Sequence, residues 1–253
     1  MDLKLKGKKA IVTGGTRGIG RAIAEELASE GADVAICARN KQQIDEAVTT
    51  LGKKGVKAWG GSVDVVDTAA LRAWVVAAAE ALGGLDIFVA NVSALAVATD
   101  EASWRRSFEV DVMGTVAGIE AALPLLEKSG AGAVVVIGSV AAVEVVGPTR
   151  PYNAVKAALV PYMKSIAQNY ARKNVRVNMV SPGTIYFKGG VWNQREEKSP
   201  EMFKAAMARN PMGRMGKPEE VADAVVFLSS PRASFITGTN LIVDGCVTQR
   251  VQF

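Results

Sequence analysis

Short runs of β-branched residues alternate along the chain with longer alanine-rich segments. The runs Lys9–Thr13, Asp33–Ala38, Val56–Gly60, Asp86–Asn91, Ala133–Ile137, Val175–Val180 and Asn240–Val243 are brief and rich in Val or Ile, as strands buried on both faces of a parallel sheet should be. Between them the pattern predicts helices near 18–30, 41–53, 67–82, 101–128, 151–173 and 218–229. Strands and helices that alternate in this way connect by right-handed βαβ crossovers. The expected fold class is α/β, a single doubly wound domain spanning 1–253, with a seven-stranded parallel sheet and helices on both faces. No repeat or Ser/Pro-rich linker breaks the pattern. Only Thr184 to about Pro200 resists assignment, being polar and glycine-containing ahead of a short apolar-periodic segment at Met202–Met207. A long irregular segment in a compact domain is usually functional or mobile.

Composition supports a globular chain. Of 253 residues, 49% are hydrophobic and 22% charged, which excludes disordered and fibrous classes. The absence of histidine removes every Ser-His-Asp or Cys-His catalytic unit and every metal site that needs an imidazole. Proton transfer must therefore use another side chain. Cys37 and Cys246 form no Cys-x-x-Cys pair, so neither a disulfide framework nor a cysteine zinc site is expected, and a reducing, cytoplasmic location fits best. Lys4, Lys6, Lys8 and Lys9 run straight into Ala10–Gly14 without the apolar stretch of a signal peptide. The longest nearly apolar run, Ala131–Val143, falls short of the ~18 residues of a membrane span. The net charge of +5 comes from lysines and arginines scattered singly or in pairs, so no nucleic-acid groove is expected.

The first strand ends in Thr13-Gly14-Gly15-Thr16-Arg17-Gly18-Ile19-Gly20, directly before the first helix. Glycines allow a tight turn and close approach to a pyrophosphate, and a helix N-terminus offers unpaired N–H groups and about half a positive charge. A triphosphate loop is excluded because no Gly-Lys-Ser/Thr follows. About twenty residues beyond such a turn, a carboxylate selects NAD and an arginine accommodates the 2′-phosphate of NADP. Here the second strand ends Ile36-Cys37-Ala38-Arg39, and Arg17 adds charge within the turn. The expected cofactor is NADP(H).

Tyr152 and Lys156 form Tyr-x-x-x-Lys near the start of a predicted helix, one turn apart on one face, and Ser139 lies just beyond the fifth strand. With the glycine turn, these residues make the whole chain resemble the short-chain dehydrogenase/reductase family, in its ~250-residue form with Thr-Gly-x-x-x-Gly-x-Gly. Further segments match, among them Arg214–Ala222 and Val243-Asp244-Gly245. The resemblance implies a Rossmann fold, a ketone/alcohol oxidoreductase activity and a homotetramer formed through the helices near 101–128 and 151–173. It assigns Ser139, Tyr152, Lys156 and the position of Asp111 to catalysis. To the cofactor it assigns Gly14, Thr16, Arg17, Gly18, Ile19, Gly20, Arg39, Asp64, Val65, Asn91, Tyr152, Lys156, Pro182, Gly183 and Ile185.

The chemistry of such a site can be stated independently. Ketone reduction needs a hydride donor, an acid for the developing alkoxide, and donors that stabilise the oxyanion. Tyr152 is the candidate acid, and a cation beside a phenol favours its ionised form, which Lys156 supplies. Two departures from the family pattern stand out. Ala90-Asn91-Val92-Ser93 replaces Asn-Asn-Ala-Gly, and Asp111 stands where an asparagine often supports a water relay to the lysine. A relay through the backbone carbonyl survives that change, whereas side-chain chemistry would be altered by the added carboxylate. Pro161, inside the catalytic helix, is expected to make a tolerated bend.

The resemblance implies that substrate contacts come from a lid at about 184–210 and from the segments after the fourth and fifth strands, which here supply Ser93, Leu95, Val143, Glu144, Val145, Val146, Arg150, Tyr186, Phe187, Val191 and Trp192. They form an apolar or aromatic pocket for a small hydrophobic or cyclic carbonyl compound. Glu144 and Arg150 either recognise polar substituents, pair with each other or face water. Lys188 and Arg195 either meet an anionic thioester or are solvated. Two alternative functions remain: a 3-oxoacyl thioester reductase, which would dock an acidic carrier protein on Arg172, Lys173 and Lys128, and a cofactor-binding regulator without turnover. The tail Val247–Phe253 is expected to pack at a subunit interface.

Overall fold

The computed structural model describes residues 1–96, 98–145 and 150–251. Its strands are β1 (Lys9–Thr13), β2 (Asp33–Ala38), β3 (Ala58–Ser62), β4 (Ile87–Ala90), β5 (Gly132–Ile137), β6 (Val175–Pro182) and β7 (Asn240–Val243). They form one seven-stranded sheet in the order β3-β2-β1-β4-β5-β6-β7, and every neighbouring pair is parallel. The helices are α1 (Gly18–Ser29), α2 (Lys41–Gly52), α3 (Thr68–Leu82), α4 (Glu101–Ser107), α5 (Gly114–Ser129), α6 (Pro151–Tyr170), α7 (Val191–Lys198), α8 (Pro200–Ala208) and α9 (Pro218–Ser229). Asn40, Asp67 and Asp100 start α2, α3 and α4 by accepting hydrogen bonds from the backbone N–H groups of Gln43, Ala70 and Ser103.

Alternation along each strand feeds two apolar layers. Ile11, Phe88, Val134 and Val136 point to one side, where they meet Leu71, Val75, Ile119, Leu126 and Leu159 of α3, α5 and α6. Ala10, Val12, Ile87, Val89, Val135 and Ile137 point to the other, against Ile23, Leu27, Val221 and Val225 of α1 and α9. Both faces of the sheet are covered, so period-2 hydrophobicity gives way to continuous apolar runs.

Three elements depart from the sequence expectation. β3 lies two residues later than Val56–Gly60, because its centre is Gly60-Gly61. A Cβ at Gly60 would stand 2.5 Å from Ile44 Cγ2, and one at Gly61 2.3 Å from Trp74 Nε1. Close packing of α2 and α3 thus requires glycine where strand propensity would exclude it. The helix expected over 101–128 is interrupted by a π-helical segment, Phe108–Met113, which carries Asp111. Part of the stretch from Thr184 to Pro200 is α7, whose sequence VWNQREEK has no buried residue and so shows no apolar periodicity. α6 runs unbroken through Pro161, which is exposed and whose carbonyl accepts from Ser165 Oγ at 3.0 Å. Among the described residues, no helix is long and apolar enough to cross a membrane.

Cys37 is fully buried in β2, and burial pushes its thiol up to about 12, whereas Cys246 is exposed. A thiol reagent at neutral pH should therefore label one cysteine in the native protein and both after denaturation. Mass spectrometry showing native Cys37 labelled would contradict the packing of β2.

Candidate functional site

Parallel strands place their carboxyl ends on one edge, where the candidate residues gather. The turn after β1 has φ +69° at Gly14 and +55° at Gly18, conformations that favour glycine. Gly14 N and Gly15 N both donate to Cys37 O, at 2.9 and 3.3 Å. Asn91 pins the turn from β4's end: its Nδ2 donates to Thr13 O at 3.0 Å and Gly14 O at 3.3 Å, and its backbone N donates to Thr13 Oγ1 at 3.0 Å. A Cβ at Gly20 would come within 2.3 Å of both Asn91 Nδ2 and Gly14 O. α1 begins at Gly18, and its N-cap residue Arg17 makes no side-chain capping bond, so the amides of the first turn remain for an anion. Thr16 and Ile19 lie in the same half-buried turn. Glycine in the cradle and amides at its rim fit the pyrophosphate of a dinucleotide.

At the end of β2, Arg39 is exposed, as is Arg17. Arg39 Nη1 lies 3.9 Å from Asp64 Oδ2, and Arg106 Nη2 lies 3.7 Å from the same oxygen. Asp64 Oδ1 accepts from Val66 N at 3.2 Å, and Val65 is buried against Gly114. Sequence reading missed Arg106, because nothing local marks a helix residue that reaches Asp64 from across the sheet edge. On the opposite side, Gly183 N donates to Val243 O at 3.0 Å, and a Cβ there would stand 2.9 Å from Asp244 Cα. Pro182 ends β6, and buried Ile185 bridges to Gly216. The Phe187 ring covers the glycine turn, since a Cβ at Gly18 would stand 2.5 Å from its Cζ.

α6 carries Tyr152 and Lys156 toward this edge, with Lys156 Nζ 5.9 Å from the Tyr152 ring centre. Lys156 is buried and donates to Ile137 O, at the end of β5, at 3.0 Å. Asp111 is fully buried, and its Oδ1 lies 3.2 Å from Lys156 Nζ as an ion pair. Its Oδ2 accepts from Ala94 N at 2.9 Å. Of the two roles open to this position, the side chain is thus in direct contact with the lysine. Ser139 follows β5, is buried, and its Oγ accepts from Ala141 N at 3.1 Å. That bond uses a lone pair and leaves the hydroxyl proton to donate.

Beyond Ser139, Glu144 Oε2 accepts from Gln249 N at 2.9 Å and Arg250 N at 3.4 Å, so the tail folds onto its own chain's loop. Val146, a sequence-expected substrate contact, and the last two tail residues, 252 and 253, lie outside the described residues. Among the described residues, no cluster of acidic or cysteine side chains could hold a metal.

The comparisons agree with this architecture. A family model described as enoyl-(acyl carrier protein) reductase matches residues 14–248. The chain is 37% identical over 253 residues to an isoepoxydon dehydrogenase of Penicillium expansum, covering 98% of each protein. It is 38% identical over 256 residues to dehydrogenase/reductase SDR family member 4 of Oryctolagus cuniculus, covering 98% of this chain and 96% of that one. L-sorbose reductase of Gluconobacter frateurii, solved with NADPH and L-sorbose, superposes with a TM-score of 0.89 at 32% identity over 99% of this chain and 100% of that one. Fold and comparisons together define an oxidoreductase of the doubly wound type. The chain belongs to the short-chain dehydrogenase/reductase family.

The buried pair sets a stability test. Asp111→Leu removes one partner and leaves an uncompensated ammonium, which costs about 3–5 kcal/mol. Asp111→Asn keeps an acceptor for Ala94 N, and its activity should stay within about tenfold of the parent. Chemical denaturation and steady-state rates check both; an Asn variant at least about a hundredfold faster would show the natural site to be impaired.

Proposed function

We propose that the protein is an NADP(H)-dependent oxidoreductase that interconverts a ketone and a secondary alcohol, with Tyr152 as the acid/base. The observation that carries this reading is the placement of Tyr152 one turn before a lysine locked by Ile137 O and Asp111, on the sheet edge that holds the glycine turn. The reduced nicotinamide, when bound, supplies the hydride. The glycine turn and the first amides of α1 hold the pyrophosphate, while Arg17 and Arg39 meet the 2′-phosphate. Asp64 and Val65 border the adenine, and Asn91, Pro182, Gly183 and Ile185 shape the nicotinamide end. Ser139 Oγ donates to the substrate carbonyl oxygen, Tyr152 passes its proton to the alkoxide, and the Lys156 ammonium favours the phenolate left behind. α7 and α8, within the 184–210 lid, close over a small hydrophobic or cyclic carbonyl compound.

A second reading, reduction of an acyl thioester on a carrier protein, draws on the description of the matching family model. The surface is poorly suited to it: Lys173 Nζ already pairs with Glu127 at 3.0 Å and stands 4.4 Å from the Tyr170 ring centre. A free ketone is the better-supported substrate.

A spectrophotometric panel of carbonyl compounds with NADPH and NADH tests the proposal. NADPH oxidation should exceed NADH oxidation, and Tyr152→Phe should lower kcat by about a hundredfold to ten-thousandfold. Replacing Arg17 and Arg39 together by alanine should raise the KM for NADPH about tenfold or more while changing that for NADH little. A preference of the parent for NADH would contradict the role given to the two arginines.

A further inference from the structure

The glycine turn carries one aromatic ring against it. Gly14, Gly15 and Gly20 face the framework of the fold: a Cβ at Gly14 would meet Asn91 Nδ2 and Val92 Cγ2 at 3.0 Å, one at Gly15 would meet Ile36 Cγ2 at 2.5 Å, and one at Gly20 would meet Asn91 Nδ2 and Gly14 O. Gly18 faces Phe187 instead. A Cβ there would stand 2.5, 2.8 and 3.0 Å from Phe187 Cζ, Cε2 and Cε1. The other side of the ring's edge rests on Gly190, where a Cβ would stand 2.9 Å from both Cε1 and Cζ.

In a dinucleotide turn the second glycine lacks a side chain so that the backbone can approach the pyrophosphate. Gly18 holds that place, at the first position of α1 with φ +55°. The point where its side chain would begin lies nearer to three ring carbons than the ~3.5–4.0 Å of carbon contact allows, so the ring fills the space on that side of Gly18. Ring and pyrophosphate therefore compete for one place.

Backbone bonds fix the segment that carries the ring. Tyr186 N donates to Gly216 O at 2.8 Å, and Gly190 N donates to Phe187 O at 3.0 Å. Phe187 is only half-buried, and Lys188 and Gly189 beside it are exposed. Rotation about its own side-chain torsions carries the ring away from Gly18 without breaking either backbone bond.

We propose that Phe187 is a plug on the cofactor turn, a self-contact that must open before a dinucleotide seats and that weakens its binding in proportion to the closed fraction of the protein. The proposal rests on the dinucleotide reading of the glycine turn given above.

Isothermal titration calorimetry of the parent, Phe187→Leu and Phe187→Ala with NADPH and with NADH tests the plug. Phe187→Ala should bind at least one dinucleotide about fivefold or more tighter than the parent, with Phe187→Leu between the two. Should the alanine protein not fold, the leucine protein carries the test with a gain of about twofold or more. Adenosine 2′-phosphate, which has no pyrophosphate, should bind parent and variants alike. Binding of both dinucleotides that is unchanged, absent or weaker once the ring is removed would overturn the plug, as would an equal gain for adenosine 2′-phosphate. The parent's preference between the dinucleotides is read separately: tighter binding of NADH would contradict the roles of Arg17 and Arg39, while a gain for NADH on removing the ring would still support the plug.

Discussion

Burying the Lys156 ammonium is the constraint on which the site is built. An isolated buried cation costs several kcal/mol, so it must find a carboxylate or neutral acceptors. Here the carboxylate comes from the π-helical segment through Asp111, and the carbonyl from the end of β5 through Ile137. The second oxygen of Asp111 is held by Ala94 N in the segment that follows β4. One charge therefore ties together α6, the segment 108–113, β5 and the chain beyond β4. Tyr152 inherits its position from that lock because it lies one helical turn from Lys156, and Ser139 inherits its own because it lies two residues beyond Ile137.

The same stretch after β4 holds the other half of the site. Asn91 grips the glycine turn three residues before Ala94 grips Asp111. The glycine turn and the Lys156–Asp111 pair are thus referenced to one short segment rather than to each other. A π-helical turn changes the helical phase by one residue, and such turns concentrate at functional sites. In this chain the turn carries the carboxylate that meets the lysine, at the position where the family pattern has an asparagine.

Much of this was legible before any coordinates. Six of the seven strands announce themselves as Val- and Ile-rich runs, since a strand covered on both faces needs continuous apolar sequence. Tyr152, Lys156 and the glycine turn are local patterns with fixed spacing. What escaped is of two kinds. β3 and α7 are elements whose sequences contradict their own propensity signals: β3 is centred on glycines that admit Ile44 and Trp74, and α7 has no apolar face. The approach of Arg106 to Asp64 and the grip of the tail on Glu144 join residues far apart in the chain, whereas the nearness of Asp111 to Lys156 was legible only through the family resemblance. Only the tertiary fold brings such partners together, so spacing arguments cannot find them.

Hydride transfer from NADPH with Tyr152 as the acid is the proposed chemistry, and isotope tracing tests it most directly. NADPH carrying deuterium at both C4 hydrogens of the nicotinamide, incubated with the protein and a reducible ketone, should yield an alcohol carrying deuterium on the carbinol carbon. The Tyr152→Phe protein should form almost none. An alcohol formed without label on that carbon, or labelled equally well by the Tyr152→Phe protein, would contradict the account.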